Sequence, residues 1–487
     1  MGRSQRSMKG GASGQGKAST ERGAKNKSKR DEFPGLLMIF LFSVAVTTFS
    51  AFTLPQDEIL VKHQEFFMDS KSTFGQRRTE TNSRTIDNEY HIAFSTSCSD
   101  FQDWQSYVFF YFAAKVKQPG QITRIASGCS PEKEKELRDF HSKYVAPFSD
   151  RFHLHFTPDY SLVSGRPPFK YYNKPFGVKH WMENAMGYPD NQVNDDAIFM
   201  IVDPDMYLFK PFTNDFTGMK LWKGYADNTT RVEHGKPFAA KYGFNAAWAK
   251  HNISYVAGSD SPAVKVKGTN EATDSYSIGP PYVATGKDMW NIVVHWTKFT
   301  PRVHHVYTDF LGEMYGYCQA AAHLELPHTI STSFMISDVL DPKQEGWDFL
   351  EGMGRDEVCQ PVDPEKLPFV FHFCQRYALG RWFVGKYKLP PDFFFNCTTP
   401  LLRVPPKDIA VKYDYYIFPN GERKDYKSET SIKQHGFMTC TLIDALNEVA
   451  EYFKRNHCTD KLPNLEKTLI FHNESQFVEL EGSVAAA

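Results

Sequence analysis

No two of the eight cysteines (Cys98, Cys129, Cys318, Cys359, Cys374, Cys397, Cys440 and Cys458) stand in a CxxC pair. A zinc site therefore has no support from spacing, and the thiols are free to form disulfides whose connectivity the sequence leaves open. HExxH and G-x-S-x-G are also missing, which removes the usual signatures of a metalloprotease or a serine hydrolase. Nor is there an internal repeat. Basic charge is scarce where a nucleic-acid binder would need it. Of 56 Lys and Arg, nine fall in residues 1 to 33 with three of the 57 Asp and Glu, leaving 47 bases and 54 acids in the rest. A slightly acidic body gives no basic footprint, and nucleic acid is not an expected partner.

From residue 35 to 54, "GLLMIFLFSVAVTTFSAFTL", charge is absent altogether. Twenty helical residues span about 30 Å, the thickness of a bilayer's hydrocarbon layer. The basic leader lies on one flank, so the positive-inside rule puts the N-terminus in the cytosol and the body across the membrane. A cleaved signal peptide is the rival reading; its apolar stretch is usually about 7 to 15 residues, and this one is longer. The expected organisation is a basic disordered tail over 1–33, a single transmembrane signal anchor over 34–54, a luminal stem over 55–88, a folded domain over 89–400 and a C-terminal extension over 401–487. Sequons at Asn228, Asn252, Asn396 and Asn473 fit a luminal body, as sites of N-glycosylation.

The body holds ample material for a core, being 41% hydrophobic and 15% aromatic over the whole chain. Its pattern alternates. Strands are expected at 90–97, 121–128, 151–156 and within 195–202. Helices are expected after Ser99, where Gln102 completes a capping box, at 131–144 and at 175–187 behind Pro175. Further on come a short strand and a helix entered through Thr285, a helix at 308–326, a buried strand at 367–374 and an amphipathic helix at 439–457. Strands alternating with helices predict an α/β domain with a mainly parallel central sheet.

Within "DDAIFMIVDPDMYLFKPF" an apolar run, Ala197 to Val202, leads straight into Asp203-Pro204-Asp205. Residues two apart on an extended chain face one side, and Pro204 cannot donate to a ladder, so the strand should end there with both carboxylates turned to one ligand. Ligands of open α/β sheets bind beyond the carboxyl ends of strands. Two hard oxygen ligands there suit Mn²⁺ or Mg²⁺ with positions left for a diphosphate. That combination points to a nucleotide-sugar transferase; alone, two acids two apart are more often solvated turn residues.

In order along the chain stand "DWQSYVFFYFAAKVKQPGQITRIASGC", "NKPFGV", "IVDPDMYLFKP", "GEMYGY" and "HFCQRYALGRWFVGKYKLP". This ordered set resembles the peptidyl hydroxyproline O-arabinosyltransferases and the peptidyl serine α-galactosyltransferases of plants and algae, over about residues 89 to 400. The resemblance implies a type II enzyme of the Golgi or ER membrane with a luminal GT-A-like nucleotide-sugar-binding domain. It implies transfer, with retention, from a UDP-sugar to a hydroxyl of a hydroxyproline- or serine-containing protein. "KQPGQITRIASGC" is closer to the serine enzymes and "LNEVAEYF" to the arabinosyltransferases, so the subfamily and the sugar stay open. A luminal glycan- or peptide-binding protein of the same fold, without turnover, is the alternative.

Other candidates follow. His372, in "FVFHFC", is either a third metal ligand or a core histidine; His295, His304 and His305 are weaker. Glu313 and Asp309, four apart on one expected helix, are the catalytic candidates for holding sugar or acceptor hydroxyls. Asn173 and Lys174, before a helix N-terminus, suit donor contacts. Arg124 suits either the nucleotide or an ion pair. Trp382 is the expected aromatic wall of the donor or acceptor site.

Overall fold

Seven of the eight residues of the first strand, Tyr90–Ser97, are buried, because the strand is covered on both faces. On one side Phe94 packs against Phe109 and Phe110, with ring centroids 4.9 and 5.5 Å apart. On the other, Ala93 joins Ile125, Val178, Trp181 and Phe199 in a core cluster. The structure, a computed structural model, divides into two units, Met1–Gln76 and Arg77–Ala487. Residues 89–481 are described, apart from 163–167, 191–193, 223–229, 340–344, 419–420, 459–466 and 474–475. The expected tail, anchor and stem, and the sequon Asn228, lie outside the described residues. Among the described residues no helix is long and apolar enough to cross a membrane.

The central sheet has the order β3-β2-β1-β4-β7-β6-β8. β1 (Tyr90–Ser97), β2 (Gln121–Ser127), β3 (Phe152–Thr157) and β4 (Ile198–Val202) are parallel. They alternate with α1 (Asp100–Lys115), α2 (Pro131–Phe140) and α3 (Asn173–Asn184), as alternating hydrophobic periods require. The other half departs from the parallel expectation: β7 (Ile278–Thr285) runs antiparallel to β4 and to β6 (Phe238–Lys241), and β8 (Thr329–Ser331) is parallel to β6. Ser99 precedes α1 as foreseen, but its side chain makes no cap bond. Gln102 Oε1 accepts instead from Ser97 Oγ at 2.7 Å. α3 starts two residues before Pro175, which then sits in a first turn whose N–H groups have no helical acceptor to lose.

β7 delivers the chain to α4 (Gly286–Val306), capped by Thr285 Oγ1 on the Asp288 N–H. Ile198 pairs with Thr285, so α4 begins beside the start of β4 and returns along the sheet, with Trp296 against Tyr282 at 5.9 Å. α5 (Gly312–His323) then packs on α4. Gly316 makes that contact: a Cβ there would collide with Thr300 Oγ1.

A smaller sheet of β5 (Met206–Leu208), β10 (Val370–His372) and β9 (Met335–Ile336) adjoins β4 in sequence, with Met206 opposite His372. A hairpin of β11 (Arg376–Leu379) and β12 (Trp382–Gly385) follows. The last helix, α6 (Glu429–His457), starts ten residues earlier than its apolar stripe suggests, at the Ser428 cap. Disulfides Cys359–Cys440 and Cys397–Cys458 fasten it, and Cys98–Cys129 ties the end of β1 to the end of β2.

Candidate functional site

Asp203-Pro204-Asp205 is the joint between the two sheets: Val202 ends β4 and Met206 begins β5. Asp205 is anchored on the small-sheet side, where its carbonyl accepts the Phe373 N–H at 3.0 Å. The β5–β10 register brings His372 alongside. One ligand atom each from Asp203, Asp205 and His372 lies within 4.8 Å of the others. His372 Nε2 is 3.4 Å from Asp205 Oδ2. Two carboxylate oxygens and an imidazole nitrogen form a donor set that suits Mn²⁺ or Mg²⁺, so these residues fit the expected ion.

Two lysines enter the same group. Lys174, in the first turn of α3, reaches Asp203 Oδ1 at 2.7 Å and Glu313 Oε2 at 3.0 Å. A cation at a helix N-terminus opposes the helix dipole, and the two carboxylates compensate it. Lys386, just past β12, contacts Asp205 Oδ2. Burial works against each charge, but the partners prevail. Lys174 is held above its ordinary pKa by Asp203 and Glu313, and Lys386 by Asp205. Asp205 is held well below the carboxylate range because His372 and Lys386 outweigh its burial. His372 is raised: burial opposes its charge, and Cys374 and Asp205 overcome it. Glu313 goes the other way. Burial pushes its pKa up to about 7, Lys174 pulls it down, and Asp203 adds to the rise. Its Oε1 is buried with no hydrogen-bond partner among the described residues.

Of the expected site residues, Asp203, Asp205, His372, Lys174 and Glu313 come together; the others have partners of their own. Arg124 lies within β2 rather than at its end, 4% exposed. It donates to Asp103 Oδ1 at 2.6 Å and to Thr96 Oγ1 at 3.0 Å, the ion-pair alternative. Asn173 is a fastener: its amide accepts from the Tyr160 N–H and donates to Asp159 Oδ1. Asp309 does not share a helical face with Glu313, because α5 begins only at Gly312; it is exposed and accepts from the Phe310 N–H. Trp382 is buried at the hairpin-turn end of β12, 6.0 Å from Tyr413. From that end, three steps along the strand, about 10 Å, lead to Gly385. The residue reaching the site from this segment is Lys386, which sequence reasoning did not single out. His304 bonds Tyr172 Oη and stacks on Phe169, and the His295 ring lies 4.5 Å from His323, tilted by 47°. Of the sequons, Asn252 and Asn396 are exposed, and Asn473 ends a strand, Lys467–Asn473.

No family model matches the chain. It is 24% identical over 399 residues to a peptidyl serine alpha-galactosyltransferase of Arabidopsis thaliana, covering 78% of this chain and 39% of that protein. A protein of the same name from Chlamydomonas reinhardtii is 26% identical over 275 residues, covering 52% and 32%. The resemblance expected from the motifs is thus present, and the chain spans less than two fifths of the length of each of these curated relatives. Among solved structures, the apo bifunctional glycosyltransferase WbbM matches at a TM-score of 0.32 and 8% identity, over 60% of this chain and 46% of that one. An active-site mutant of LgtC matches at 0.32 and 10%, over 58% and 87%. Overlaps that low add nothing to the geometry.

Proposed function

We propose that the chain is a metal-dependent, retaining glycosyltransferase that moves a sugar from a UDP-sugar to a hydroxyl of hydroxyproline or serine in a secretory-pathway protein. The observation that carries this is the grouping of Asp203, Asp205 and His372 beyond the carboxyl end of β4, where open α/β sheets bind ligands. Names of the two relatives support the serine alternative for the acceptor. Asp203, Asp205 and His372 would hold Mn²⁺ or Mg²⁺. When bound, the ion supplies Lewis-acid neutralisation of charge on the leaving diphosphate. Lys174 keeps the Glu313 carboxylate in place, and the free Glu313 Oε1 accepts a hydrogen bond from a sugar or acceptor hydroxyl. Cys98–Cys129, Cys359–Cys440 and Cys397–Cys458 support a luminal site of action, since disulfides persist in oxidising compartments. A type II Golgi or ER membrane protein is the corresponding placement.

The test is a donor screen with Mn²⁺, scoring UDP released from each UDP-sugar, with the Asp203→Ala/Asp205→Ala double variant as blank. Release from one sugar, abolished in the blank and by chelation, is the expected result. A folded chain that binds UDP equally well without divalent metal would overturn the assignment of the carboxylate pair.

A further inference from the structure

Each carboxylate of the pair already carries a cation, and the two cations are not equivalent. Lys174 divides its ammonium between Asp203 and Glu313, at 2.7 and 3.0 Å, so it keeps a buried partner if Asp203 is taken by something else. For Lys386 the acidic partner among the described residues is Asp205 alone, through Oδ2, the oxygen that His372 also faces. Lys386 opens a short turn, Lys386–Lys388, directly after β12. Its neighbour Tyr387 is 64% exposed and stacks on Phe101. The turn is therefore at the surface, while the lysine stem carries the ammonium inward, its side chain 11% exposed.

Formal charge decides what this means. Asp203, Asp205 and Glu313 face Lys174 and Lys386, so each carboxylate of the metal pair has an ammonium against it. A bare divalent ion meets carboxylates already compensated, and must move an ammonium off Asp205 in a region where an unpaired charge is costly. A diphosphate arriving with the ion offers that ammonium another anion.

Resting on the donor-site reading above, we propose that Lys386 is a resident competitor for the metal position on Asp205, so that a divalent ion and a nucleoside diphosphate bind as a thermodynamically linked pair. By reciprocity each raises the other's affinity by one common factor, for which about 5- to 150-fold is the usual range.

The experiment titrates Mn²⁺ into the full chain with and without UDP, following free Mn²⁺ by electron paramagnetic resonance. For the wild type, weak binding alone and binding tighter by a factor in that range with UDP are expected. Lys386→Met keeps the stem and removes the charge; its affinity without UDP should rise toward the value the wild type reaches with UDP, and the coupling should shrink to what direct contact between ion and diphosphate supplies. Lys386→Arg, which keeps the charge, and Lys388→Met, which removes a cation two residues along the same turn, should both retain the wild-type coupling. Undiminished coupling in a folded Lys386→Met would overturn the proposal, whereas equal Mn²⁺ affinity in the wild type with and without UDP, by reciprocity metal-independent UDP binding, would overturn the donor-site reading along with it. Failure of the wild type to bind Mn²⁺ even with UDP would sink the donor-site reading itself, a separate result.

Discussion

Glu313 has one oxygen on Lys174 and the other without a partner, and burial holds its pKa up near 7. If it works as a carboxylate, turnover rises with pH through about 7, as the group ionises. Glu313→Gln should lose that limb of the pH profile and lower kcat by about 10² to 10³. Unchanged kcat in the variant would remove Glu313 from the reaction. Arg124 is the opposite case, a charge used for stability. Arg124→Met leaves Asp103 buried with only Lys133, 3.2 Å away, and should cost about 3 kcal/mol in denaturant unfolding. UDP binding by the folded variant should not change. A selective loss of UDP affinity at full stability would restore the donor role.

Between α4 and α5 the spacing is set by Gly316 against Thr300. Gly316→Ala should destabilise by about 1 to 3 kcal/mol and lower kcat, because Glu313 rides on the same helix. Adding Thr300→Ala, which removes the colliding hydroxyl, should recover most of both, as read by thermal melts and steady-state rates. Elements of this kind differ in how legible they were. β4 shows in the sequence because a continuous apolar run needs burial on both faces. Its position in the sheet beside an antiparallel β7 does not show, since periodicity carries no strand direction. The early start of α6 was hidden by "ETSIKQHGF", whose Gly436 reads as a breaker; it is there because Val358 and Ala410 pack within 3.2 Å of where a Cβ would stand. Asp203 and Asp205 were legible from strand-end chemistry, and His372 only as one of two readings, since a lone histidine in an apolar strand is as readily a core residue. Lys386 was not, being 181 residues from Asp205 and brought to it by the β5–β10 pairing and the hairpin.

Taken whole, the described part of the second unit is fastened through α6. Tyr111 and Lys115 of α1 both bond Glu448, and two disulfides join α6 to Cys359 and Cys397 across sequence separations of 81 and 61. Replacing Cys359 and Cys440 by Ser should cost about 2 to 5 kcal/mol, visible as a lower Tm. Reduction of the wild type should move the melt in the same direction. An unmoved melt would mean that α6 is held by packing alone.

The joint at Asp203-Pro204-Asp205 gives one carboxylate to each sheet. Their span is thus a caliper set by two separately hydrogen-bonded sheets. A repacking of the small sheet beside the site, for instance at the Tyr207–Phe371 stack next to Asp205 and His372, need not replace a ligand to be felt there. It would alter which ionic radius the jaws close on, and would surface as altered preference among divalent ions before it surfaced as lost stability.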